Sequence, residues 1–150
     1  MHSKTQAGQS SMGECVITVR GSVDAYEALR EEVRLFAAEE GYGRDFCGQL
    51  QLSLKELFVN AVRHGNRGME HLRITFRFQA SLEANGPVLR VSVTDCGSGF
   101  ALADLADPTS PQFLLRSSGR GMYIISSIAE IVGVERHGPG CTLRLRYAPY

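Results

Sequence analysis

The residues best suited to chemistry lie in four short stretches. The first is Glu56-Leu-Phe-Val-Asn60-Ala-Val-Arg63-His64-Gly65-Asn66, where a carboxylate, an amide and an imidazole recur at i, i+4 and i+8. On a helix that spacing puts all three on one strip. The strip either lines a pocket or is a solvated face ending at Gly65 as a helix C-cap. The second is Asp95-Cys-Gly97-Ser-Gly99-Phe100. A buried Asp at a strand end can accept a hydrogen bond from an exocyclic amine such as that of adenine, although Asp-x-Gly-x-Gly also serves simply as a turn. The third, Ser117-Ser118-Gly119-Arg120-Gly121-Met122, sets Gly-x-Gly at a helix start. There backbone N–H groups can approach phosphate oxygens, or the glycines can serve packing alone. The fourth is Gly140-Cys-Thr142.

These stretches need elements to hold them. Residues 1–13 are polar and rich in Ser, Gln and Gly, and are expected to form a disordered leader to one domain over 14–150. Cys15–Arg20 reads as a short strand. Ser22 is placed to cap a helix with Ala25, Leu29, Val33, Phe36 and Ala37 on its apolar stripe. After Gly41-Tyr42-Gly43, Asp45 is the expected cap of a second helix running to about His64, its stripe being Phe46, Leu50, Leu54, Leu57 and Ala61. The period then drops to two. Leu72, Ile74, Phe76 and Phe78 define one strand and Leu89, Val91 and Val93 the next, an antiparallel hairpin. From Gly97 to Ser118 the chain reads as a long loop. A third helix starts at Gly119–Gly121, with Met122, Ile125, Ile128, Ala129 and Val132 inward. Two strands follow, Val132–Arg136 and Thr142–Tyr147. The order predicts an α/β two-layer sandwich, a mixed and mostly antiparallel sheet with helices on one face.

Sixteen Lys and Arg balance sixteen Asp and Glu, so bulk charge draws the chain to neither nucleic acid nor anionic membrane. The four cysteines, Cys15, Cys47, Cys96 and Cys141, form no C-x-x-C pair; scattered thiols suit a reducing cytoplasm better than a zinc site or a disulfide framework. There is no signal-peptide pattern and no apolar run of membrane-spanning length, so a cytoplasmic protein is expected. Arg73, Arg77, Arg90, Arg144 and Arg146 fall on the open sheet face. They read as an acidic-partner site or, more simply, as a solvated face balanced by carboxylates.

Taken in order, E-x-x-x-N-A-x-x-H-G, a hairpin, D-x-G-x-G-F, a loop, G-x-G and G-x-T resemble the histidine kinase-like (Bergerat) ATP-binding fold of type II topoisomerases, mismatch-repair ATPases and histidine kinases. The resemblance spans about Val16 to Tyr147. It is nearest to the small stand-alone bacterial anti-sigma-factor serine kinases of partner-switching pathways. That resemblance implies ATP and Mg²⁺ as cofactors. It makes Glu56 the catalytic carboxylate that accepts the attacking hydroxyl's proton, and Asn60 the Mg²⁺ ligand. Arg63 and His64 would sit near the phosphates and lid. Asp95 would hold the adenine amine, supported by Thr142. Gly97 and Gly99 would let the chain pass close to the nucleotide, and Phe100 to Ser118 would form the lid. Ser118, Gly119, Arg120, Gly121 and Met122 would belong to the phosphate cradle. The family pattern has an Arg where this chain has Ser117, which leaves Arg116 or Arg120 to meet the γ-phosphate. Cys96 and Cys141 read as packing residues. The implied function is a protein serine/threonine kinase and anti-sigma factor that phosphorylates a STAS-type antagonist, with a sigma factor as the other partner; members of that family are commonly homodimers. The alternative is a nucleotide-regulated module that sequesters a partner without phosphotransfer.

Overall fold

A computed structural model describes residues 2–7, 10–66, 68–96, 119–138 and 140–150. Strand β1 (His2–Ala7) pairs with β2 (Ser10–Arg20), followed by α1 (Val23–Glu39), α2 (Arg44–Asn60), a π-helical turn over Ala61–Gly65, and the hairpin β3 (Arg73–Glu83) and β4 (Gly86–Asp95). Beyond residues 97–118 come α3 (Gly119–Ile128), β5 (Glu130–His137) and β6 (Gly140–Tyr147). The six strands run in the order β1-β2-β3-β4-β6-β5 and every pairing is antiparallel. This is the expected two-layer sandwich, and among the described residues the sheet is antiparallel throughout rather than mixed.

The helices form where apolar spacing and caps agree. The Ser22 hydroxyl accepts the Ala25 N–H at 3.2 Å, and Leu29, Val33, Phe36 and Ala37 are buried below it. Phe46, Leu50, Leu54 and Leu57 of α2 are buried on the same core, as is Ala61 just beyond. Across from them lie Ile74, Phe76 and Phe78 of β3 and Leu89, Val91 and Val93 of β4, each exposed by 4% or less. Sheet and helices are also joined by a buried hydroxyl pair, Ser53 and Tyr147, 2.7 Å apart.

Four expectations change. His2–Ala7 and Ser10–Met12 are strand rather than disordered leader; β2 carries main-chain donors and acceptors on its outer edge, and pairing them needs no apolar side chains. The second helix is capped by Gly43 and not by Asp45, which sits in the first turn. A Cβ at position 43 would stand 2.8 Å from the main-chain oxygen of Tyr150, a contact that glycine avoids. The helix also does not continue as an α-helix to His64, but widens at Ala61, where Asn66 N–H reaches back five residues to the Ala61 carbonyl at 2.8 Å. Lastly, α3 ends at Ile128, and Val132 lies on β5, 58% exposed. Its helical spacing loses to the ladder with β6, which pairs Glu130 with Arg146 and bulges between Ile131 and Gly133.

On the open face the arginines meet carboxylates: Arg77–Glu14 at 3.2 Å, Arg90–Glu83 at 2.7 Å and Arg144–Glu135 at 2.9 Å. Exposed pairs of this kind contribute about 0–1 kcal/mol each, so this is the balanced, solvated surface.

Candidate functional site

Three elements converge at one end of the sandwich. Strand β4 ends in Asp95, 6% exposed, and the pairing sets it opposite Ile74 on β3 and Cys141 on β6, all on the helix-facing side. The end of α2 and its π turn pass directly over this carboxylate. A Cβ at Gly65 would stand 2.5 Å from Asp95 Cγ, so the carboxylate occupies the space of the missing side chain. Gly65 is therefore not a left-handed helix cap. It is the point where backbone touches the site.

Asn66 locks the junction. Its Oδ1 accepts the Cys96 N–H at 3.0 Å and its Nδ2 donates to the Arg73 carbonyl at 3.3 Å, joining the π turn to the end of β4 and the start of β3. At 1% exposure it is among the most buried polar residues described.

Asp95 shares a cavity with Leu57, Asn60, Ala61, Val93, Val134, Cys141 and Leu143. Asn60 Oδ1 is buried there with no hydrogen-bond partner among the described residues. A buried amide oxygen left unpaired costs about 1–3 kcal/mol. A ligand or cation that met it would recover that cost. One turn earlier, half-buried Glu56 faces the start of α3. A Cβ at Gly121 would lie 2.7 Å from Glu56 Oε2, so the start of α3 comes close to this carboxylate. Positive helix-end character beside a carboxylate, an orphaned amide oxygen and an apolar lining that ends in Asp95 are the kinds of group that suit an amine-bearing base with phosphates.

The structure thus sets Asn60 and Asp95 in one cavity and Glu56 beside Gly121, with Glu56 and Asn60 one turn apart on α2. Arg63 is exposed on the π turn. Met122 is 1% exposed in the core and anchors α3 instead of lining the cavity. Thr142 is not brought to Asp95: its hydroxyl lies on the opposite sheet face, 2.8 Å from Thr94 Oγ1 and 2.7 Å from His137 Nε2. The residue facing the cavity is Cys141. Burial, and next the nearby Asp95 carboxylate, push its thiol pKa up. Gly97, Gly99, Arg116, Ser118 and the lid over Phe100 to Ser118 lie outside the described residues, as do the side chains of His64 and Arg120. For Gly119 the structure describes only its place at the start of α3.

Fold and site together define a nucleotide-binding domain of the ATPase type. Residues 19–147 match the histidine kinase-like ATPase domain, and the chain belongs to that family. The fold is similar to that in the crystal structure of the RsbU and RsbW domains of Rv1364c from Mycobacterium tuberculosis, with a TM-score of 0.56 at 22% identity. The match covers 91% of this chain and 32% of that one, so this chain spans about a third of the length of that relative. No curated protein matches the sequence. Among the described residues no helix is long and apolar enough to cross a membrane.

Proposed function

We propose that this domain is an ATP-dependent protein serine/threonine kinase and anti-sigma factor, acting on a serine of a STAS-type antagonist in a bacterial partner-switching pathway. The observation that carries the reading is Glu56 standing against the start of α3, one helical turn from the orphaned Asn60 oxygen. In this reading Asp95 accepts a hydrogen bond from the adenine amine and sets the nucleotide's depth. The backbone at Gly119–Gly121 faces the phosphates at the positive end of α3. Asn60 Oδ1 would offer Mg²⁺ a protein oxygen, with phosphate and water as its other ligands. When bound, Mg²⁺ neutralises phosphate charge. Glu56 accepts the proton of the attacking serine hydroxyl, and the rest of catalysis is positioning and electrostatics. The similarity to a structure containing an RsbW domain supports the anti-sigma assignment. A sigma factor as second partner, a homodimer and a cytoplasmic location belong to the same proposal.

The test is incubation of the purified protein with Mg-ATP and a STAS antagonist from the same genome, followed by mass spectrometry of the antagonist. Phosphoserine that disappears with Glu56→Gln supports the kinase. Tight ATP binding with no transfer, and partner regulation that survives Glu56→Gln, would establish the alternative of a nucleotide-regulated sequestering module.

A further inference from the structure

A second cavity, about 540 Å³ in volume, lies at the far end of the sandwich from Asp95. Strand β4 runs between the two. Pro87 near its start lines this cavity and Asp95 at its finish lines the other, roughly 26 Å apart for an extended strand. The lining joins Glu40 and Tyr42, from the α1–α2 junction, to Ala80 and Leu82 of β3 and to Tyr150. Among the side chains described, none that lines it is Lys, Arg or His. Two buried oxygens here, Glu40 Oε2 and the Tyr42 hydroxyl, have no hydrogen-bond partner among the described residues. The Glu40 carboxylate folds back over the sheet, where a Cβ on Gly13 would collide with it. Glu40 is also the C-cap of α1, whose last turn holds no basic residue. That helix end carries partial negative charge, which a cation ordinarily meets. The Tyr42 ring packs edge-on against Phe46 with centroids 5.2 Å apart, which fixes the direction of its hydroxyl. Burial, and then the nearby Glu40 carboxylate, push the Tyr42 phenol up, so the hydroxyl stays neutral.

We propose that this cavity is a binding site for a primary alkylammonium group, brought by a free amine or by a lysine side chain. The site stands apart from the nucleotide cavity and requires no ATP. An unpaired carboxylate oxygen at the negative end of a helix calls for a cation, and the second orphaned oxygen calls for a donor. An ammonium supplies both, a unit positive charge and three N–H donors. An anion would be repelled by the same carboxylate, and a neutral ligand would leave it uncompensated. The rings of Tyr42 and Tyr150 offer faces that favour a cation, while Ala80, Leu82 and Pro87 suit an apolar stem.

The experiment is an amide NMR titration of the isotope-labelled full chain with phenethylamine, its neutral analogue phenylethanol, and acetyl-lysine methylamide carrying a free side-chain ammonium. Phenethylamine should shift the amides of Gly41, Tyr42 and Leu82 with a Kd of about 1 mM or tighter, and leave Asn66 and Cys96 at the other end unmoved. The alcohol should bind about ten-fold more weakly. Glu40→Gln should weaken the amine about ten-fold and Tyr42→Phe about three-fold, since the first removes the charge and the second only an acceptor. Either amine responding at these residues supports the site. Phenethylamine alone assigns it to a free amine, and the lysine amide alone to a lysine of a partner protein. Equal affinity for amine and alcohol overturns the proposal, as does amine binding undiminished in Glu40→Gln. Shifts confined to the residues around Asp95 overturn it too, and so does silence from both amines at about 20 mM. None of these outcomes depends on whether the protein binds ATP.

Discussion

Asp95 can stand where it does because position 65 has no β-carbon, and that contact makes a sharp test of the site. Gly65→Ala would place an atom 2.5 Å from Asp95 Cγ, so either the carboxylate swings away or the π turn lifts. Both outcomes remove the base anchor. Nucleotide binding should be lost, and overpacking should lower stability by about 1–3 kcal/mol, which ATP titration and urea unfolding would measure. Two further substitutions separate recognition from chemistry. Asp95→Asn keeps the shape but replaces the charged acceptor, and should weaken ATP binding by roughly 1.5–3 kcal/mol. Glu56→Gln should leave affinity nearly unchanged and lower phosphotransfer about 10²–10⁴-fold. Isothermal titration beside a single-turnover transfer assay reads both; equal behaviour of the two variants would refute the division of labour between Glu56 and Asp95.

At the scale of elements, the site depends on how α2 ends. A continuous α-helix through His64 would carry the backbone on at a constant 3.6 residues per turn; the π turn widens it and presents Gly65 to Asp95 and Asn66 to two strands. Asn66 is thus a positioning residue. Asn66→Ala strands the Cys96 N–H and the Arg73 carbonyl in a buried setting, and a drop of about 1–3 kcal/mol in unfolding free energy is expected. ATP affinity should fall with it, while Asn66→Asp, which keeps the acceptor for Cys96, should recover part of both. If Asn66→Ala shifts stability but leaves ATP affinity intact, the junction supports the fold without setting the pocket.

The whole molecule keeps several acidic groups protonated inside its core. Burial raises Cys15 from an ordinary 9.0 to about 11 and Tyr147 from 10.0 to about 12, and Cys141 moves the same way. Between the unfolded and folded values the native chain binds more protons than the unfolded one, so unfolding releases protons. The stabilising contribution is complete below about pH 9 and falls as pH rises towards about 12, by up to about 1.4 kcal/mol per pH unit for each group titrating only when unfolded. Urea midpoints measured under reducing conditions should decline steadily over that window. Tyr147→Phe should flatten the decline above about pH 10. A midpoint indifferent to alkali would mean these groups are reachable by solvent without unfolding.

Periodicity alone determined the layers of this protein: the stripes on α1 and α2 and the alternation on β3 and β4 appear as read, because both record burial of one face. Glu56, Asn60 and Asp95 were legible for the same reason, each having a place on an element whose phase the apolar residues set. The phase of β6 was equally legible. With Leu145 and Tyr147 inward, period two puts Cys141 inward and Thr142 outward, whereas the family resemblance had assigned the supporting role to Thr142. Other features were not local. The approach of Tyr150 to Gly43, the need for glycine at 65 beside the Asp95 carboxylate, the nearness of Glu56 to Gly121 and the role of Asn66 all come from residues distant in sequence. Burial patterns are written along the chain because each residue carries its own hydrophobicity. Steric exclusion and hydrogen-bond closure depend on pairs of distant atoms, and only the folded chain brings those together.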